Sequence, residues 1–92
     1  MATKHEFTSE EARRIGDQIG IDWHDVDPEE FRLGLAVELE HGAHDPQTDV
    51  TGGDEILTGK IALAHLKEIR DYYTRLLAME KDAEAYWDAQ GD

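Results

Sequence analysis

The sequence contains no cysteine, and this absence removes several kinds of chemistry. Disulfide bonds, thiolate-bound zinc, iron–sulfur clusters and cysteine nucleophiles are all excluded. Serine is almost absent as well, since Ser9 is the only one and lies beside a predicted helix start. A Ser–His–Asp catalytic arrangement therefore has no support, and the residues predict no catalytic group.

Long apolar runs and basic residues are also scarce. No stretch of about 18 apolar residues occurs, and the N-terminus lacks the apolar run of a signal peptide, which predicts a soluble cytoplasmic protein. The chain has 9 basic and 22 acidic residues, which gives a formal net charge of −13. This charge predicts that neither nucleic acid nor a membrane is a partner, because phosphates would be repelled, and it favours cations or a basic protein partner.

The 92 residues suffice for a single domain, and we expect an ordered core over roughly residues 7–88. No segment shows the alternation typical of a strand, whereas apolar residues recur at helical spacing in four segments. The sequence therefore predicts an all-α fold, a small bundle of about four helices with one long loop between helices two and three.

Capping residues predict where the first two helices begin and end. Thr8 and Glu11 have the spacing of a capping box at the start of the first helix. Asp27 precedes a proline and predicts the start of the second helix, with Glu30 completing another capping box. Gly42 is the predicted end of that helix.

The remaining boundaries depend on a polar loop, "AHDPQTDVTGGDE", and on one break. Thr51 or Asp54 is the predicted start of the third helix, and Asp71 that of the fourth. The break between Arg70 and Asp71 is either a true helix end or a kink. The loop carboxylates lack the spacing of an EF-hand, so turns and helix caps account for them better than calcium does.

Helices two and three carry paired carboxylates and imidazoles. Glu38 lies at the edge of the apolar face of the second helix and His41 follows three residues later, whereas Glu40 points to solvent. This Glu-x-x-His spacing is used by dinuclear carboxylate centres in helical bundles. His65 and Glu68 repeat the pair in reverse order on the third helix, so antiparallel packing would bring the two pairs together.

These residues have two interpretations: a structural network of His–Glu hydrogen bonds, which is the favoured one, and a metal site for iron, manganese or zinc. The predicted ligands are Glu38, His41, His65 and Glu68, with His44 as an outer ligand. A dinuclear bundle centre usually has four carboxylates, and the candidates on the first and fourth helices lie mostly on faces that we expect to be exposed. Those are Glu11, Asp17, Glu80 and Glu84. A mononuclear site, or one completed across a dimer, therefore fits better.

Aromatic residues concentrate in the last helix, where core packing is the first interpretation and a partner-binding groove the second. They are Tyr72, Tyr73, Tyr86 and Trp87. Two functions remain open: a scaffold or protein-interaction module, possibly a homo-oligomer, and a metal-binding protein with redox or hydrolytic activity. A nucleic-acid mimic is a distant third.

The segments "FRLGLAVELEHGAHDP", "LTGKIALAHLKE" and "DYYTRLLAME" resemble a family of small proteins known as a domain of unknown function, found in bacteria, archaea and phages. The resemblance covers roughly residues 7–87. It implies that family members share a signature, namely Glu38, Glu40, His41, His65, Glu68, Asp71, Tyr72 and Tyr73. It also implies a proline at the position of Arg70, and it implies no activity.

Overall fold

The computed structural model describes residues 6–90, with the side chains of residues 87–90 left aside, and contains four helices and no strand within that range. The helices are α1 (Ser9–Gln18), α2 (Pro28–His44), α3 (Glu55–Glu68) and α4 (Tyr72–Gln90). The all-α prediction is confirmed. Within the described residues, none of these helices is long and apolar enough to cross a membrane.

Local caps start the first three helices. Thr8 and Glu11 form the predicted capping box, in which each side chain accepts a hydrogen bond from the backbone of the other. Asp27 accepts from a first-turn amide of α2, and Asp54 accepts from two amides of α3. These carboxylates satisfy donors that a helix leaves without intrahelical partners, so short side chains set three helix starts.

The end of α2 differs from the prediction. Gly42 does not stop the helix, which continues to His44. Gly42 is buried because the following loop, residues 45–54, folds back on it, and a Cβ there would lie 3.0 Å from Asp49 Oδ1 and 3.1 Å from Thr51 Oγ1. The glycine therefore permits a close approach between helix and loop.

The apolar core lies where α1, α2 and α3 meet. Phe31 and Leu35 of α2 are fully buried and face Ile15 of α1. Gly59 lets α3 approach closely, since a Cβ there would lie 2.9 Å from Ile15 Cγ2. The buried apolar residues are Phe7, Ala12, Ile15, Ile21, Val26, Phe31, Leu35, Ala62, Leu66 and Tyr73.

α4 packs mainly against α2, and Tyr73 anchors it. The Tyr73 ring is fully buried over Gly34, where an added Cβ would lie 2.5 Å from Tyr73 Cε2. Core packing is thus confirmed for Tyr73, and Tyr72 is half-buried. The prediction of core packing is wrong for Tyr86, which is 58% exposed. The side chain of Trp87 lies outside the described residues.

The start of α4 is capped from another helix. The predicted capping box of Glu30 within α2 is wrong, because its carboxylate instead accepts hydrogen bonds from Tyr73 N at 3.1 Å and Thr74 N at 3.2 Å, and from the Thr74 hydroxyl. Asp71 precedes α4 as predicted, but its carboxylate binds Arg75 Nε at 2.8 Å. That guanidinium lowers the pKa of Asp71 through the hydrogen bond.

Candidate functional site

A polar cluster joins α2, α3 and α4 beside the core. Glu38 Oε2 accepts a hydrogen bond of 2.7 Å from the Tyr73 hydroxyl and lies 3.6 Å from His65 Nε2. The Glu38 side chain is only 13% exposed, so these partners compensate for lost hydration. The structure thus brings together one predicted residue from α2 and one from α3. Sequence reasoning missed Tyr73, whose hydroxyl gives no periodic pattern.

Aromatic rings surround this cluster. The His65 ring stacks on Tyr72 with centroids 4.4 Å apart and planes 5° apart, and it meets Tyr73 edge-on at 6.0 Å. Burial raises the pKa of Tyr73, and its hydrogen bond to Glu38 raises it further. The phenol is therefore a protonated donor at neutral pH, and Glu38 accepts its hydrogen bond.

The other predicted ligands lie apart from the pair of Glu38 and His65. His41 Nε2 is 4.0 Å from Glu80 Oε2 on α4, while His44 and Glu68 are exposed near the ends of their helices. Among the side chains of residues 6–86, no three histidines or carboxylates are placed to hold one metal ion. The metal site predicted from the sequence stays a prediction.

A groove of about 900 Å³ opens between the end of α2 and the second half of α4. Its walls combine carboxylates, imidazoles and small or apolar side chains. The α2 wall and the following loop contribute Glu38, Glu40, His41, His44 and Thr48, and the α4 wall contributes Met79, Glu80, Ala83 and Glu84. Glu80 and Glu84, which the sequence predicts only as exposed carboxylates, are therefore groove residues, together with His41 and His44.

The α4 wall carries an apolar stripe that continues past the core. Its members are Tyr72, Leu76, Met79, Ala83 and Tyr86, which alternate at spacings of four and three residues. That alternation is typical of the seam of a coiled coil. Tyr72 and Leu76 pack against the core, whereas Met79 is 55% exposed and faces the groove with Ala83. The stripe is therefore covered at Tyr72 and Leu76, half-buried at Ala83 and exposed at Met79 and Tyr86.

The fold and the groove define a small helical protein with an acidic, partly apolar cleft. Residues 12–82 match the model of a family described as a protein of unknown function, DUF5661. The match spans more than half of the chain, so the chain belongs to that family. No curated protein and no solved structure matches the chain.

Proposed function

We propose that this protein is a protein-interaction module that binds a segment of a partner protein in the groove between α2 and α4. The observation that carries this proposal is the part of the α4 stripe that lines the groove, namely the exposed Met79 and the half-buried Ala83. Apolar side chains that continue a packing seam into a cleft are typical of surfaces that bind helices or extended segments.

The way α4 is held supports the same proposal. Tyr73 and the carboxylate of Glu30 attach the first turn of α4 to α2, so the exposed turns extend from a fixed start. A wall that is positioned before binding loses less conformational entropy when a partner arrives. The groove is thus supported by the folded core, with the apolar stripe available for contact.

Selection from a displayed library of random peptides tests this proposal without assuming the character of the partner. Binders selected on the wild type are measured against Met79→Lys, which places a charge on the stripe. Leu57→Lys is the matched control, because Leu57 is a 44% exposed apolar residue of α3 that does not line the groove. We expect an affinity loss of about tenfold or more for Met79→Lys alone, since the loss of a hot-spot side chain typically costs about 2 kcal/mol or more.

Binders that tolerate Met79→Lys as well as Leu57→Lys would contradict the proposal. A library that yields no binder above background would contradict it too. Nuclear magnetic resonance shifts caused by a selected peptide should map to the groove walls, on α2 from Glu38 to His44 and on α4 from Met79 to Glu84.

Metal binding is the second candidate function, and one observation favours it. His41, His44 and Glu80 line the same groove, with His41 Nε2 and Glu80 Oε2 4.0 Å apart. Small side-chain rotations there would offer nitrogen and oxygen ligands of the kind zinc and manganese accept. Melting with added Zn(II), Mn(II) or Fe(II) tests it: stabilisation lost in His41→Gln but kept in the exposed control His24→Gln supports a metal site, and no stabilisation contradicts it.

A further inference from the structure

The proposed interaction groove has a shape and a charge that specify its occupant. Resting on that proposed function, we infer that the groove binds a basic amphipathic α-helix of a partner protein. The helical form follows from the dimensions and the seam of the groove, and the basic character follows from its walls.

The dimensions match two turns of helix. The α2 wall from Glu38 to His44 spans six residue steps, about 9 Å at the rise of an α-helix. A helix with side chains is 10–12 Å wide, so a 9 Å length of it occupies roughly 700 to 1,000 Å³. The groove measures about 900 Å³, so it has room for a short length of one helix.

The spacing of the stripe also favours a helix. Met79 and Ala83, which line the groove, continue the alternation of four and three residues that Tyr72 and Leu76 begin at the core. A second helix with the same alternation interlocks with such a seam as knobs into holes. An extended strand, whose side chains alternate every two residues, has no matching period along α4. The partner segment therefore carries apolar residues at helical spacing.

The charges on the groove walls favour a partner helix with basic residues beside its apolar face. Glu40, Glu80 and Glu84 line the groove, and Glu38 lies at its base, already bonded to Tyr73. Among the described residues that line the groove, none is lysine or arginine. Carboxylates on both sides of an apolar strip attract a helix whose apolar face is flanked by lysine or arginine.

A second copy of the chain is a poorer occupant. Each chain has a formal net charge of −13, so two copies repel one another before any contact forms. α4, the element a second copy would present beside the stripe, carries Glu80 and Glu84 itself, which would face like charges across the groove. A basic partner avoids this repulsion.

Calorimetric titration with three synthetic peptides of about 18 residues, long enough to form a helix, tests the inference. The first is amphipathic with leucines at helical spacing and lysines on both flanks. The second has the same residues in scrambled order, and the third keeps the leucine pattern but has glutamine for every lysine. We expect the first peptide to bind at least about tenfold more tightly than either of the others.

Groove and control variants of equal charge make the test specific. Glu80→Gln/Glu84→Gln removes two groove carboxylates and should weaken the first peptide about fivefold, as two exposed ion pairs would. Glu10→Gln/Asp82→Asn removes two exposed carboxylates that do not line the groove, so it corrects for net charge and should change affinity less than about twofold.

The outcomes separate this inference from the proposed function. Equal binding of the scrambled peptide would overturn the inference, because attraction would then depend on charge alone. If the glutamine peptide bound the groove as tightly as the lysine peptide, the inference would fail while the interaction module stood. Failure of all three peptides, together with a library that yields no groove binder, would remove both.

Discussion

The two halves of α2 have different surroundings, although they belong to one continuous helix. The first half places Phe31 and Leu35 among side chains of α1 and α3, where they are fully buried. The second half, from Glu38 to His44, faces α4 and the open groove. A single helix thus provides core packing at one end and a polar groove wall at the other, so the proposed binding function and the stability of the core would depend on separate residues.

The two halves of α2 also differ in the contacts that their side chains make. In the first half most contacts are apolar, and glycines bring the helices close together, as Gly34 does beneath Tyr73. Glu30 is the exception there, because its buried carboxylate caps α4. In the second half Glu38, His41 and their partners make polar contacts that are partly open to water. We therefore expect substitutions in the first half to change stability and those at the groove to change binding.

The largest expected effect separates the core from the stripe. Ile15→Ala removes a fully buried side chain and should lower the free energy of unfolding by about 2 to 4 kcal/mol, through lost burial and a cavity. Met79→Ala, at a residue 55% exposed, should stay within about 0.5 kcal/mol. Urea unfolding measures both, and similar losses for the two variants would contradict the division.

The next largest effect on stability is expected at Glu30, with its neighbour Glu29 as the control. Glu30→Ala leaves the amides of Tyr73 and Thr74 without their acceptor and should lower the free energy of unfolding by about 2 to 3 kcal/mol. Glu30→Gln keeps one acceptor oxygen and should lose less. The control is Glu29→Gln, at an exposed carboxylate paired with Arg32, and it should have the smallest effect of the three.

Thermal and urea unfolding rank these three variants. Circular dichroism adds a specific readout, because loss of the cap should unwind the first turn of α4 in Glu30→Ala and leave Glu29→Gln helical. If Glu29→Gln destabilised the protein as much as Glu30→Ala, the cap would have no special role.

The smallest effect concerns the Tyr73 hydroxyl. Tyr73→Phe removes the donor to Glu38 while keeping the buried ring, so it should cost about 1 to 2 kcal/mol at neutral pH. The pKa of Tyr73 is raised in the folded protein, so this group's contribution is complete below about pH 10, the ordinary pKa of tyrosine, and is lost as the pH rises further.

The pH dependence therefore has a definite sign. Above pH 10 the unfolded chain releases the tyrosine proton and the folded protein retains it, so the stability advantage of wild type over Tyr73→Phe should shrink by up to about 1.4 kcal/mol per pH unit. Parallel urea titrations at pH 8 and about pH 11 measure this change. An advantage that stays constant over that range would contradict the raised pKa.

Sequence patterns predicted those features that depend on near neighbours. The four helices follow from apolar spacing, and Thr8, Asp27 and Asp54 cap helices through amides two or three residues away. The contact between Glu38 and His65 was also predictable, because it required only that the helix faces carrying these two residues pack against each other.

Features that join distant residues were not predictable in this way. Glu30 has the spacing of a local capping box, yet it bonds to residues 43 and 44 positions away, because α4 crosses α2 there. Gly42 has the residue type of a helix stop, yet the loop packs on it and the helix continues. In both cases tertiary packing outweighs a local preference, and no neighbouring residue signals it.

The cap supplied by Glu30 has a consequence for how the molecule assembles. The first amides of α4 find their acceptor on α2 rather than on a preceding residue, so the last helix depends on an element made much earlier in the chain. We expect α4 to become fully helical only after α2 has taken its place. The α4 wall of the groove then forms only in a completely folded molecule, so we expect a defect in the core to remove the groove as well.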